Sequence, residues 1–181
     1  MTIWQGIWRL ARFDAEGFEA FAPTSQALLN SFAPLLALPL VGGLLQIVQG
    51  DVVDGVSDLL ATVVALLTPL VVGEAFARIW GREMRWARFA VASNWCQWAL
   101  PMLLLAMALI GSVLDQAGIS IDRHLAGGVV FALMIYGFAL HWFLARRGLD
   151  VSRGRATLLV LVADLLTGVL VIGPRLLAMP A

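Results

Sequence analysis

The chain has no lysine, a single cysteine and few charged residues of either sign. Charged residues make up 13% of its 181 residues, about half the share found in an ordinary soluble domain, and every basic residue is arginine. Because Cys96 is the only cysteine, an intrachain disulfide is excluded. The motifs of phosphate-binding loops, zinc peptidases and serine hydrolases are missing as well. No motif names a reaction, and we expect neither a cofactor nor a metal.

Apolar residues are what the chain has in excess. They make up 61% of the sequence, and the mean hydropathy is +0.89. A fold of this size cannot hide so many apolar side chains from water, whereas lipid solvates them readily. The composition therefore predicts an integral membrane protein. We expect it to contact membrane lipids and either partner membrane proteins or a second copy of itself, and not to bind nucleic acid.

Five apolar stretches are long enough to cross the hydrocarbon core, which takes about 20 mostly apolar residues. They are residues 26–48, 54–79, 89–114, 124–145 and 156–177. The connections between them are short, so neighbouring helices should run antiparallel. The predicted fold class is all-α: a polytopic membrane protein whose residues 26–181 form a bundle of five transmembrane helices.

Arginine is concentrated after the second and fourth spans. These two segments, over residues 78–88 and 146–155, carry four arginines each, whereas the loops after the first and third spans are mainly acidic. Since basic loops remain cytoplasmic, the pattern predicts a cytoplasmic N-terminus and a C-terminus on the outer side. The same arginines are candidates for contact with anionic lipid headgroups, namely Arg82, Arg85, Arg146 and Arg147.

Residues 1–25 form a cytoplasmic amphipathic segment ahead of the first span. Trp4, Ile7, Trp8 and Ala11 fall at helical spacing, which predicts a short helix lying on the inner membrane surface. The segment contains acidic residues and lacks an uninterrupted apolar run, so it does not have the pattern of a signal peptide. Two roles remain open for it: packing against the bundle, or contact with lipid.

Polar residues within the spans are the candidates for a functional site, because a polar group is costly in hydrocarbon. At about 1.5 Å per residue, Asp164 and Gln97 lie near the midplane of the membrane. A shallower inner layer contains Asn30, Glu74, Asn94 and His141. These residues form either a ligand or proton site or a set of hydrogen bonds between helices. Asp164 has no basic neighbour on its own span, so we expect it to be neutral or bonded to Gln97.

The two histidines raise the question of haem, for which imidazole is a common ligand. His124 and His141 lie on the same span, about 25 Å apart along a helix. They cannot hold one iron from two sides within a monomer. We therefore assign His141 to the inner polar layer and predict no haem.

Three segments together resemble a group of small bacterial integral membrane proteins. They are residues 88–95 (RFAVASNW), 141–146 (HWFLAR) and 162–164 (VAD). More distantly, the five spans with an inner N-terminus resemble the Yip1-like membrane proteins. The resemblance implies a multi-pass protein of the bacterial cytoplasmic (inner) membrane with a periplasmic C-terminus. The Asp-Leu-Tyr-Gly-Pro motif of the eukaryotic members is absent, so no trafficking partner is implied.

Two main classes of function are compatible with these residues. The first is a non-enzymatic membrane protein, such as a scaffold, accessory or assembly subunit, which acts through partner proteins or lipids. The alternative is a small transporter, channel or proton-coupled carrier that uses Asp164 and the inner polar layer. An enzyme or a cofactor-bearing redox subunit is a third class.

Overall fold

The computed structural model describes residues 1–116, 118 and 123–177, and these residues form helices without any strand. The elements are α1 (Ile3–Ala11), a 3₁₀ helix (Ala15–Ala20), α2 (Ser25–Val48), α3 (Val52–Ile79), α4 (Glu83–Gln116), α5 (Arg123–Gly148) and α6 (Arg153–Leu177). The predicted all-α class is confirmed. Most of the predicted outer loop over residues 115–123 and the side chain of His124 lie outside the described residues.

Within the described residues, four helices are long and apolar enough to cross a membrane, as expected for a multi-pass membrane protein. They cover Ser25–Val48, Val52–Ile79, Gly127–Gly148 and Arg153–Pro174. α4 is longer than any of them, at 34 residues, but its apolar stretch within the described residues is the shorter Leu105–Leu114. Its first half carries Ser93, Asn94 and Gln97, which lower the hydropathy there.

The basic connections are shorter than the sequence predicted. Residues 80–88 and 146–155 were expected to be loops, but α4 already begins at Glu83 and α5 continues to Gly148. The arginines therefore lie on helix ends, including Arg85, Arg88, Arg146 and Arg147. A fall in hydropathy marks the end of an apolar stretch and not the end of the helix. Because arginine is a good helix former, the helices continue beyond the apolar stretches.

The packed core lies at one end of the bundle, next to the basic connections. α3 packs against α2, α4 and α6, and α4 packs against α2, α3 and α5, while α5 and α6 pack against each other. At this end Phe89 and Leu149 are buried. On α5 no described residue before Leu140 is buried, and on α6 none after Ala163. The opposite halves of these two helices are therefore left to lipid or to a partner.

The N-terminal segment closes the packed end of the bundle. Leu10, Phe18 and Phe21 are buried in the same core as the helices that follow. The other face of α1 is uncovered: Trp4 is 68% exposed and Trp8 is 67% exposed. One face of the segment therefore packs against the bundle, and the other is available to lipid or protein.

The turn after α1 contacts α5 directly. The Tyr136 hydroxyl donates a hydrogen bond to the Ala11 carbonyl at 2.6 Å. The Phe13 ring meets Tyr136 and Phe143 edge to face, with ring centroids 5.8 and 5.5 Å apart. Phe13 has a φ of 62°, a conformation that is unfavourable for a bulky residue. These contacts hold the turn in that conformation and fix the segment on the bundle.

Candidate functional site

A groove between α4, α5 and α6 contains three of the predicted site residues. Asp164 Oδ1 lies 3.5 Å from His141 Nδ1, and Gln97 lines the same groove. The groove has a volume of about 310 Å³. The rest of its described lining is apolar, or glycine: Val130, Leu133, Met134, Gly137 and Phe138. It is thus an apolar groove with one small polar group of three side chains.

Asp164 and His141 meet although their backbones lie at different depths. Asp164 is about 16 Å along α6 from its first residue, whereas His141 is about 10 Å from the last residue of α5. Helical side chains tilt toward the N-terminus of their own helix. In the antiparallel pair the His141 side chain therefore points away from the α5–α6 connection, and that of Asp164 points toward it. Counting depth at the backbone placed the two in separate layers and missed this contact.

The contact permits two kinds of chemistry. His141 is 16% exposed and Asp164 is 33% exposed, so both are partly withdrawn from the surroundings of the bundle. A neutral imidazole that donates from Nδ1 leaves Nε2 as an acceptor, and a protonated one forms an ion pair with the carboxylate. The pair can therefore hold a proton, or it can bind the polar group of a ligand whose apolar part lies along the groove.

Asn94 has a different environment and joins α4 to α2. Its side chain is buried, and Nδ2 donates a hydrogen bond to Ser31 Oγ at 2.9 Å. The Ser31 hydroxyl in turn donates to the Leu28 carbonyl at 2.6 Å. Ser31 was not among the predicted residues, and its only signal in the sequence is a hydroxyl within an apolar run. This chain of hydrogen bonds fits the structural role that was considered for the inner layer.

Glu74 and Asn30, by contrast, bond within their own helices. Arg78 pairs with Glu74 one turn away, with 2.6 Å between Nη2 and Oε1. Gln26 donates to Asn30 Oδ1 at 2.9 Å, and Asn30 is exposed. Neither side chain lines the groove that contains His141. The inner polar layer is therefore divided into local pairs, and only His141 joins Asp164 and Gln97.

Two of the predicted headgroup arginines, Arg82 and Arg85, link the two basic connections. Asp150, between α5 and α6, lies 3.7 Å from Arg82 and 3.3 Å from Arg85 at the start of α4. Arg146 stacks over Trp142, with 5.4 Å from its Cζ to the ring centroid. The two basic connections therefore lie at the same end of the bundle, as the alternating charge pattern requires.

Comparison of the chain with models of known families, with curated proteins and with solved structures gave no match. The resemblance to small bacterial integral membrane proteins therefore depends on the three sequence segments alone, and the more distant resemblance to Yip1-like membrane proteins depends on the predicted five spans and inner N-terminus. What the protein does is inferred from its own residues: the groove, the N-terminal segment and the arginines at the packed end.

Proposed function

We propose that the protein is a five-span protein of the bacterial cytoplasmic membrane that acts through contacts with partner membrane proteins or lipids. Its N-terminus is cytoplasmic and its C-terminus periplasmic, and it serves as a scaffold, accessory or assembly subunit and not as an enzyme. One observation carries the proposal. The N-terminal segment is packed against the bundle on one face, while Trp4 and Trp8 are 68% and 67% exposed on the other.

The exposed face of α1 suits an interaction surface. Burial of Leu10 and the hydrogen bond from Tyr136 to Ala11 hold the segment in one orientation, so little entropy is lost when a partner binds. Tryptophan is enriched at the centres of protein interfaces, and it also favours the headgroup region of bilayers. This surface needs no catalytic group to act.

The length of α4 supports the fifth span. At about 1.5 Å per residue its 34 residues extend about 50 Å, more than the roughly 30 Å of the hydrocarbon core. Its first turn lies at the packed end, where Arg85 meets Asp150. In the proposed arrangement its last turn lies beyond the opposite face of the membrane, from which α5 returns. This path supports the proposed five crossings, with the N-terminus on the side of the arginines.

Cysteine labelling in intact cells tests the orientation. A cysteine at Ser57 or Gln116 should react with a membrane-impermeant thiol reagent, and one at Met84 or Ser152 should not. All four positions are exposed, whereas the native Cys96 is buried and supplies little background. After the cells are permeabilised, all four cysteines should react. The reverse pattern in intact cells would show that the proposed orientation is wrong.

Native purification of the full chain in mild detergent, followed by mass spectrometry, tests the interaction surface. The wild-type protein should carry a bound protein or lipid in fixed proportion, and Trp4→Ser combined with Trp8→Ser should lose it without a change in thermal stability. Interface tryptophans typically contribute on the order of 2 kcal/mol or more. Ile79→Ser, which alters an exposed apolar residue at the end of α3, is the control and should retain the bound component. Retention by the double variant would contradict the proposal.

A small proton-coupled carrier or channel is the second candidate, and the contact between His141 and Asp164 favours it. Asp164 lies halfway along the candidate span Arg153–Pro174, so a proton held there is far from both membrane surfaces. Ionisable residues at this depth typically mark ion or proton pathways. In this case the Asp164 carboxyl would accept a proton from one side of the membrane and release it to the other.

A further inference from the structure

A second pocket lies at the packed end of the bundle, between the N-terminal segment and the two basic connections. It has a volume of about 460 Å³. Its charged lining consists of Arg85 and Arg88 from α4, Arg147 from α5, and Glu19 from the 3₁₀ helix. Two of the predicted headgroup arginines, Arg82 and Arg146, do not line it. We call it the basic pocket.

The basic pocket has a surplus of positive charge. Three guanidinium groups and one carboxylate among its described lining residues leave two net positive charges. Arg85 shares Asp150 with Arg82. Arg88 and Arg147 form no ion pair with any residue that the structure describes. Their guanidinium groups are therefore available to an anion.

The orientation of the chain in the membrane does not require these arginines to lie close together. A bias toward one side of the membrane is satisfied by arginines anywhere on that side. Here arginines from the ends of two separate helices, α4 and α5, line one pocket, and the N-terminal segment forms its other wall. Guanidinium groups present N–H donors in a planar fork that matches phosphate oxygens, often two at a time. Inorganic or esterified phosphate is therefore the anion that fits this lining best.

We infer that the basic pocket binds a phosphate group, carried by an anionic phospholipid of the inner leaflet or by a soluble phosphate. The inference rests on the proposed function, since it takes this end of the bundle to be the inner membrane surface, and it names the ligand class there. Basic pockets between helices at that surface typically bind anionic headgroups. Met84 is exposed at the rim and provides apolar surface beside the charged groups, as a lipid requires.

Thermal unfolding of the purified full chain in detergent, titrated with lipid, tests the inference. Phosphatidylglycerol should raise the unfolding temperature, and phosphatidylcholine should raise it much less. Combined Arg88→Gln and Arg147→Gln should weaken the apparent affinity for phosphatidylglycerol on the order of tenfold, because charge-assisted hydrogen bonds are lost. Combined Arg12→Gln and Arg153→Gln is the matched control. It removes two charges from exposed arginines that do not line the pocket and should leave the affinity unchanged.

Two further arms identify the source of the phosphate and check the pocket itself. Inorganic phosphate that reproduces the stabilisation in wild type, but not in Arg88→Gln with Arg147→Gln, supports the site and assigns it to a soluble ligand. Glu19→Gln removes the only carboxylate in the described lining and should preserve or strengthen binding. The inference is overturned if the control variant loses as much affinity as the pocket variant, or if Glu19→Gln weakens binding. It is also overturned if wild type does not distinguish the two lipids and is not stabilised by inorganic phosphate.

These outcomes are independent of the tests of the proposed function. If phosphate and lipid fail to bind but cysteine labelling follows the predicted pattern, only the phosphate site is rejected. Reversed labelling combined with intact binding removes the proposed orientation and leaves the phosphate site in place.

Discussion

Replacing Phe89 with alanine should destabilise the packed end by about 3–5 kcal/mol, the usual cost of removing a buried phenyl ring. Phe89 is 2% exposed. A Cβ built on Gly73 of α3 or on Gly148 of α5 would lie 3.1 or 3.0 Å from its ring, so the ring fills the space that both glycines leave. The cavity would open where α3, α4, α5 and the 3₁₀ helix meet.

The native cysteine reports this loss of stability. Cys96 is buried, so it should react with a thiol-specific dye only as the bundle unfolds on heating. The midpoint of dye labelling in detergent should fall for Phe89→Ala. Phe131→Ala makes the same truncation at a ring on α5 that is 64% exposed, and its midpoint should stay near that of wild type. Equal shifts for the two variants would contradict the view that the core lies at one end.

Asp164→Asn should abolish proton movement if the second candidate function holds, while the fold is retained. The amide keeps a hydrogen-bond acceptor beside His141 and has nearly the same size as the carboxyl group, but it cannot release a proton. Purified protein in vesicles that contain a pH-sensitive dye should pass protons when a membrane potential is imposed. The Asp164→Asn variant should fall to the rate of protein-free vesicles, and His141→Gln should also reduce the rate.

Glu74→Gln is the matched control for that experiment. It makes the same change from acid to amide at a residue that pairs with Arg78 and does not line the groove, so it should retain the wild-type rate. If wild type is no faster than protein-free vesicles, or if Glu74→Gln is as slow as Asp164→Asn, the carrier hypothesis is excluded. The Asp164–His141 contact would then have a structural role, and the interaction function would stand alone.

The apolar runs predicted the membrane helices because hydropathy depends only on local composition. Two examples are α2, expected from residue 26 and found over Ser25–Val48, and α3, expected to end at residue 79 and found over Val52–Ile79. The start of α4 and the end of α5 were predicted wrongly because a cluster of arginines marks the end of an apolar stretch and not the end of a helix. The position of an apolar run along the chain can therefore be predicted from the sequence alone.

Contacts between helices could not be predicted in the same way. The spans are apolar on all sides, so no amphipathic stripe shows which face packs against which neighbour. Asn94 therefore gave no indication of Ser31, which is its hydrogen-bond partner on α2. Asp164 gave none of His141, since their meeting depends on the tilt of side chains on antiparallel helices. The residue types of the groove could be predicted, but their pairing required the packed bundle.

The hydrogen bond between the N-terminal segment and α5 has a consequence for biosynthesis. Ala11 and its hydrogen-bond partner Tyr136 are separated by 125 residues. At about 5–20 residues per second, a ribosome needs about 6–25 s to synthesise that distance. Throughout this time the N-terminal segment, which is made before α5, lacks part of the core in which Leu10 and Phe18 are later buried. Its docking on α5 can follow only after α5 has been made, so a segment that is synthesised before the helices of the bundle reaches its final position after them.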